Sequence, residues 1–322
     1  MLRYLGQKLV YLVLTLAAVL ATNFVIFHLM PGDPVTHIAR GQHLDAAAID
    51  RLRAYYGLDQ PLASQFLTYV QHLLTGDLGF SYTYQAPVGP IVWTALGNTL
   101  ILVTVSTVLV IALGVLVGVY AASRRGTRVD GGLVIGSLVF WSLPTFWVGM
   151  LLIFAFAVTL DWLPIAGMAT ADAIYPTVFT RISDLARHLV LPTIAMLLVD
   201  IAQFVLITRS SLLATLSEDF MTTAAAKGLS PRRVLWRHGV RNALLPVVTA
   251  TTLYASATVG GTIQVETVFS WPGMGQLIYL SVVRRDYPVM EACFLVFAVV
   301  VVLANFGSDV LYRLLDPRVR LT

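Results

Sequence analysis

The chain has 322 residues, a formal net charge of +4, and 57% hydrophobic against only 12% charged residues, with a mean hydropathy of +0.79. Soluble domains carry about 25% charged residues, so this composition excludes an ordinary soluble enzyme and implies a polytopic membrane protein. The single cysteine, Cys293, sits in an apolar run, excludes an intrachain disulfide and reads as a small buried hydrophobe.

A membrane-spanning helix needs about 20 apolar residues. Residues 9–30 supply them, behind Arg3 and Lys8. A cleavable signal peptide is the alternative, but its apolar core would be about 7–15 residues, so the longer run is read as a retained first span. Residues 31–93 form a polar insert. Within it, Asp45 reads as an N-cap, residues 46–56 as a helix and Gly57 as its stop. Residues 61–75 read as a second helix opened by Pro61 and ended by Gly76-Asp77-Leu78-Gly79.

The rest of the chain, residues 94–322, reads as five further spans. The second, about 97–122, runs into Arg124, Arg125 and Arg128. The third, about 133–160, contains Pro144, which should bend it while neighbouring helices satisfy the freed carbonyls. Trp162 then marks an interface. An outer loop over 161–187 precedes a fourth span at 188–208; a fifth follows at 243–263. An outer segment over 265–289 leads to a sixth at 290–311, which puts both termini inside. Gly114-x-x-x-Gly118 and Gly132-x-x-x-Gly136 are weak signals of tight helix packing.

The loop over 209–244 carries Arg209, Lys227, Arg232, Arg233, Arg237 and Arg241, which places it on the cytoplasmic side. Residues 222–227, including Ala224 and Ala225, are small or helix-tolerant and stop at Gly228. Ser230 and Pro231 then read as the N-cap and first position of another helix. Gly228 and Leu229 thus occupy an exposed corner that a partner can push; the plainer alternative is a solvated connector. With this topology the inner side also takes Arg3, Lys8, Arg124, Arg125, Arg128, Arg313, Arg318 and Arg320. The outer side is left with Arg40, Arg51, Arg53, Arg181, Arg187, Arg284 and Arg285. That bias explains the basic balance without nucleic acid.

Asp200 stands in mid-span, where a carboxylate costs about 2.5–3.5 kcal/mol on insertion scales. It is therefore a functional candidate, with Gln203 one turn on. It reads either as part of a translocation wall or proton site, or as a carboxyl packed against a partner subunit. The fifth span is rich in small polar residues; Thr252 and Ser256 are candidates to line the same pathway, and close helix packing is the alternative. Glu266, before the break at Pro272-Gly273, is a candidate at the pathway mouth, the alternative being an interfacial cap. The histidines, His37, His43 and His72 among them, show no metal-site spacing. No nucleophile–base constellation is present. The lysines, Lys8 before Leu9 and Lys227 before Gly228, preclude a phosphate-binding P-loop, which needs Lys followed by Ser or Thr.

Several pieces, in order, carry a resemblance: PGDPV at 31–35, YGLDQPL at 56–62, GDLGFS at 76–81, SLPTFWVG at 142–149, the loop from Thr222 to Pro246, ETVFSWPGMGQL at 266–277, RDYP at 285–288 and DPRVR at 316–320. Together they resemble the B-type permeases of the dipeptide, oligopeptide and nickel ABC importers. Two departures from the wider family, Thr222 in place of an acid and Leu245-Pro246 set far from Gly228, are usual in this branch. The resemblance implies an all-α integral membrane protein of about six transmembrane helices, the type I ABC importer permease fold, with a helical extracytoplasmic insert between helices 1 and 2. It implies a multi-pass protein of the bacterial cell membrane that imports peptides, with nickel as an alternative cargo. Its partners would be a second permease, two ABC ATPase subunits that hold ATP and magnesium, and an extracytoplasmic binding protein; this chain would carry no cofactor and no enzyme activity. Ala224, Ala225, Lys227, Gly228, Leu229, Ser230, Pro231 and Arg232 would form the ATPase-coupling surface. A secondary transporter working through Asp200 alone is the rival of a different class, and it leaves the 222–246 loop without a purpose.

Overall fold

A computed structural model describes residues 2–29, 47–48, 51, 60–81 and 83–315. The expected helix over 46–56 falls almost wholly outside the described residues, as do His37, His43 and the segments 31–35 and 316–320. Four helices are long and apolar enough to cross a bilayer: α1 (Leu2–Leu29), α3 (Val88–Ser123), α6 (Val178–Leu216) and α12 (Tyr287–Leu315). A broken pair, α4 (Arg128–Trp141) and α5 (Thr145–Leu152, widening into a π-helix over Ile153–Thr159), is long and apolar enough for a fifth crossing when its two halves count as one span. The helix α9 (Arg241–Gly261) has 21 residues; at 1.5 Å each it spans about 30 Å, the thickness of the hydrocarbon layer. It stands where the fifth of six spans was expected.

Two expectations are corrected. The third span is not one bent helix: its halves meet at 101°. Pro144 takes φ −63 and ψ 132, an extended conformation that starts α5 afresh. A residue before proline avoids the helical region, and the Ser142 hydroxyl donates to the Val139 carbonyl at 2.7 Å, closing α4. The outer loop is also shorter than expected. α6 starts at Val178, capped by the reciprocal pair Thr177 and Thr180, and its 39 residues reach roughly 60 Å, about twice the membrane thickness.

The chain forms two compact units. The first contains residues 1–98 and 273–306. Here α2 (Leu62–Leu74) ends at Gly76, whose φ of +77 only glycine adopts freely. A minimal hairpin follows, β1 (Phe80–Ser81) against β2 (Ala86–Pro87), a small addition to an otherwise helical expectation. The buried Ser81 hydroxyl donates to Asp286, tying the hairpin to the turn between α11 (Met274–Arg284) and α12. Val88, Val92 and Leu96 pack with Leu277, Ile278 and Val296 around the fully buried Cys293. On α1, Asn23 donates to the Tyr69 hydroxyl at 2.9 Å and Phe24 meets Phe66 edge-on.

The second unit contains residues 99–272 and 307–322. Its centre is α6. A Cβ added at Gly114 would stand 2.5 Å from the Phe204 Cβ, and one at Gly118 would stand 2.7 Å from the Thr208 Cβ and 2.8 Å from the Val205 carbonyl oxygen. The first glycine pair is thus the place where α3 lies directly on α6. Gly132 and Gly136 have nothing within 4 Å, so the second pair makes no such contact among the described residues. A further core joins Val148 of α5 and Val199 of α6 to Val265 of α10 (Ile263–Val268), Phe269 and the fully buried Trp271.

Candidate functional site

The basic loop folds as a helix–corner–helix. α6 ends at Leu216, and α7 (Asp219–Ala226) turns its apolar side inward, burying Met221 and Ala224 while Ala225 and Lys227 stay exposed. Gly239 makes room for this packing: a Cβ there would lie 3.3 Å from Leu212 and 3.4 Å from Met221. The chain leaves α7 through Gly228 at φ +76, with its amide donating to the Ala225 carbonyl at 3.0 Å. Nothing lies within 4 Å of the position a Gly228 side chain would take, so conformation and not space calls for glycine. α8 (Pro231–Arg233) starts with Pro at its first position and widens into a π-helix over Val234–Val240 before α9. Two details differ from expectation. Ser230 has the extended backbone of an N-cap, but its side chain makes no capping bond. Leu229 is half-buried rather than fully exposed. Arg232 is exposed.

The corner is anchored from behind. Val119 and Ala122 of α3, Leu212 of α6, and Val240 and Ala243 form one apolar cluster, and the Ser211 hydroxyl donates to the Ala243 carbonyl at 2.8 Å. Arg209 reaches Asp130 in a two-pronged ion pair, Nε to Oδ1 at 2.6 Å and Nη2 to Oδ2 at 2.8 Å. Asp130 also accepts from the Gly126 amide at 3.1 Å. The Thr127 hydroxyl receives the Asp130 amide and so caps α4. The tight turn after α3 is thereby locked to the C-terminal part of α6. Arg209→Gln should lower the melting midpoint of the purified complex by several degrees, because Asp130 is itself buried and loses its charge partner. Arg124→Gln should leave the midpoint unchanged within about a degree, and adding Asp130→Asn to Arg209→Gln should restore part of the loss.

Asp200 is half-buried on α6, and its Oδ2 accepts from the Tyr254 hydroxyl of α9 at 2.7 Å. Tyr254 in turn meets Phe204 edge-on, with ring centres 5.3 Å apart. Gln203 is exposed on the same side of α6. Thr252 is half-buried and its hydroxyl donates to the Thr249 carbonyl of its own helix at 2.8 Å. The Ser256 side chain lies outside the described residues. Glu266 is completely buried; its Oε1 accepts from Thr99 at 2.7 Å and from Thr262 at 3.1 Å. Its carboxylate therefore faces the packing of this unit and not open space. The structure brings Asp200, Gln203 and Thr252 to the α6–α9 pair and keeps Glu266 apart from them.

Asp130, Tyr254 and Thr99 were not legible as partners. Asp130 offers one local sign, an acid within the first turn after a basic cluster, but its partner is 79 residues away.

Residues 114–321 match the family model described as binding-protein-dependent transport system inner membrane component, and residues 1–103 match the model of its N-terminal part. The chain is similar to the oligopeptide transport system permease protein AppB of Bacillus subtilis, 36% identical with 98% of each chain covered. It is 38% identical to the di/tripeptide transport system permease protein DppB of Pseudomonas aeruginosa, with 99% of each chain covered. The glutathione transport system permease protein GsiC of Escherichia coli is also 38% identical, again with 99% coverage of both. Among solved structures, an inward-facing form of the MetNI methionine ABC transporter matches with a TM-score of 0.54 and 18% identity, covering 70% of this chain and 96% of that one. That likeness bears on the fold.

Proposed function

The chain belongs to the family of inner membrane components of binding-protein-dependent transport systems, and on that premise we propose that it is the permease subunit of an ATP-driven importer of peptides. The observation that carries this reading is the rigid corner at Gly228, held between α7 and α8 and anchored to α6. A transporter that hydrolyses nothing itself needs a surface through which a separate ATPase moves its helices. The corner, with Ala225, Lys227, Gly228, Leu229, Ser230, Pro231 and Arg232, has the shape and exposure for that; Ala224 supports it from inside. The partners would be two ATPase subunits carrying ATP and magnesium, a second permease and an external binding protein. The loop over 209–244 and both termini would lie in the cytoplasm of a bacterial cell. Peptide cargo is favoured over nickel because AppB, DppB and GsiC are named for oligopeptides, di/tripeptides and glutathione. ATP-dependent uptake by the reconstituted complex, offered peptides of graded length, glutathione and nickel, tests the assignment. Uptake without ATP hydrolysis, or of nickel alone, would overturn it.

Asp200, Gln203 and Thr252, with Ser256 on the same helix, are proposed to line the path. Glu266 is proposed to shape it from behind, by fixing α10 to Thr99 of α3. Asp200→Asn should reduce peptide uptake several-fold in an assembled complex, because the amide can neither ionise nor exchange a proton as the carboxyl held by Tyr254 can. Asp200→Leu should do at least as much harm. Uptake rates at saturating ATP measure it; tolerance of both changes would leave Asp200 a packing residue.

A further inference from the structure

Beyond the coupling corner, the same loop holds a groove of about 460 Å³ lined by Ser230, Arg232, Arg233, Trp236 and Arg237. All four of the long side chains are exposed, and Trp236 shows 46% of its surface. Among the described residues, Arg232, Arg233 and Arg237 form no ion pair; the nearby acids Glu218 and Asp219 engage none of them. Three unpaired guanidinium groups around one hollow make an anion site, since a planar fork of donors suits phosphate oxygens.

The position in the chain identifies the anion. Trp236 and Arg237 lie a turn before α9 begins at Arg241. In the proposed topology α9 enters the bilayer from the cytoplasm here, at a level where tryptophan concentrates and basic side chains are drawn to anionic lipids. Arg233, Trp236 and Arg237 line one hollow, so ring and charges address the same layer. The π-helix over Val234–Val240 widens this turn and spreads the side chains round the hollow. An anionic phospholipid uses both groups, its phosphate against the arginines and its glycerol and upper acyl carbons against Trp236.

We propose that Arg233, Trp236 and Arg237 form a binding site for the phosphodiester headgroup of an anionic phospholipid, which holds the α8–α9 elbow to the membrane while the corner moves. The inference rests on the cytoplasmic placement of this loop in the proposed permease. It assigns the part of the groove at Arg233, Trp236 and Arg237 to lipid and leaves the corner, with Ser230 and Arg232 on the groove's near edge, to the ATPase.

The test uses the full complex, purified in neutral detergent and challenged with phosphatidylglycerol or phosphatidylcholine, with bound lipid counted by native mass spectrometry. Wild type should retain phosphatidylglycerol in preference to phosphatidylcholine. Arg233→Gln and Arg237→Gln should each weaken retention about fivefold, the equivalent of about 1 kcal/mol per surface arginine. The double Lys variant, which keeps the charge and guards against a folding defect, should retain most of it, and Trp236→Ala should weaken it with the charge intact. Inorganic phosphate and glycerol 3-phosphate should compete poorly. Unchanged phosphatidylglycerol retention in the double Gln variant would overturn the proposal, as would equal binding of inorganic phosphate. Loss of the ATPase subunits with unchanged lipid would assign the groove to a protein partner instead. Failure of wild type to co-purify with any ATPase would sink the transport reading separately, whatever the lipid count.

Discussion

Gly118→Leu is expected to abolish accumulation of the intact protein. A side chain at this position meets both the Thr208 Cβ, at 2.7 Å, and the Val205 carbonyl oxygen, at 2.8 Å. Neither is the free end of a flexible chain, so α3 and α6 must separate. Overpacking in a filled core usually costs about 1–3 kcal/mol; here two long helices lose their closest approach, and the cost should lie at or above the top of that range. Gly114 opposes the Phe204 Cβ at 2.5 Å, so Gly114→Val should behave the same way. Even Gly118→Ala should be harmful, and Thr208→Ala should not restore it, because alanine keeps the Cβ that the new methyl meets and leaves the Val205 carbonyl in place. Gly132→Leu and Gly136→Leu, facing open space, supply the contrast and should accumulate normally. The readout is the monodisperse fraction after detergent extraction. Equal yields for Gly118→Leu and Gly136→Leu would mean that α3 and α6 do not meet as described.

Leu229→Asp should abolish stimulation of ATP hydrolysis by loaded binding protein while leaving the permease inserted and paired. Leu229 is half-buried already in this chain alone, at a corner whose neighbours Lys227, Gly228 and Ser230 are exposed. An ATPase seated on the corner would complete its burial, and an aspartate there would be desolvated without a partner, at a cost of about 2–7 kcal/mol or more. Gly228→Val acts by a different route. At φ +76 a β-branched residue is strained by about 1–2 kcal/mol, and relief of that strain redirects α8. No atom lies in the way of the new side chain, so the loss would trace to backbone conformation and not to crowding. Gly228→Asn, which tolerates the left-handed region, should retain most coupling. Stimulated hydrolysis and uptake in proteoliposomes decide between these outcomes. Wild-type stimulation by Leu229→Asp would remove the corner from the coupling surface.

The sequence by itself determined the features that are local. Spans such as residues 97–122 and 290–311 are written in runs of apolar residues, because a bilayer accepts little else over about 20 residues. The corner was legible for the same reason: a positive φ at Gly228 and a helix start at Pro231 are properties of one or two residues. Tertiary structure decided whatever depends on a distant neighbour. Two glycine pairs share one spacing, yet Gly114 and Gly118 touch α6 while Gly132 and Gly136 touch nothing, because spacing places them on a helix face without saying what that face meets. Pro144 predicted a bend, but the full break of 101° needed Ser142 to close α4 as well. Glu266 read as a mouth residue or an interfacial cap from its place before Pro272-Gly273, and only folding sets Thr99, 167 positions earlier, beside it. Asp130 and Arg209 likewise become a pair only when α4 packs on α6. A buried charge takes its meaning from the partner that offsets its desolvation, and folding alone brings that partner near.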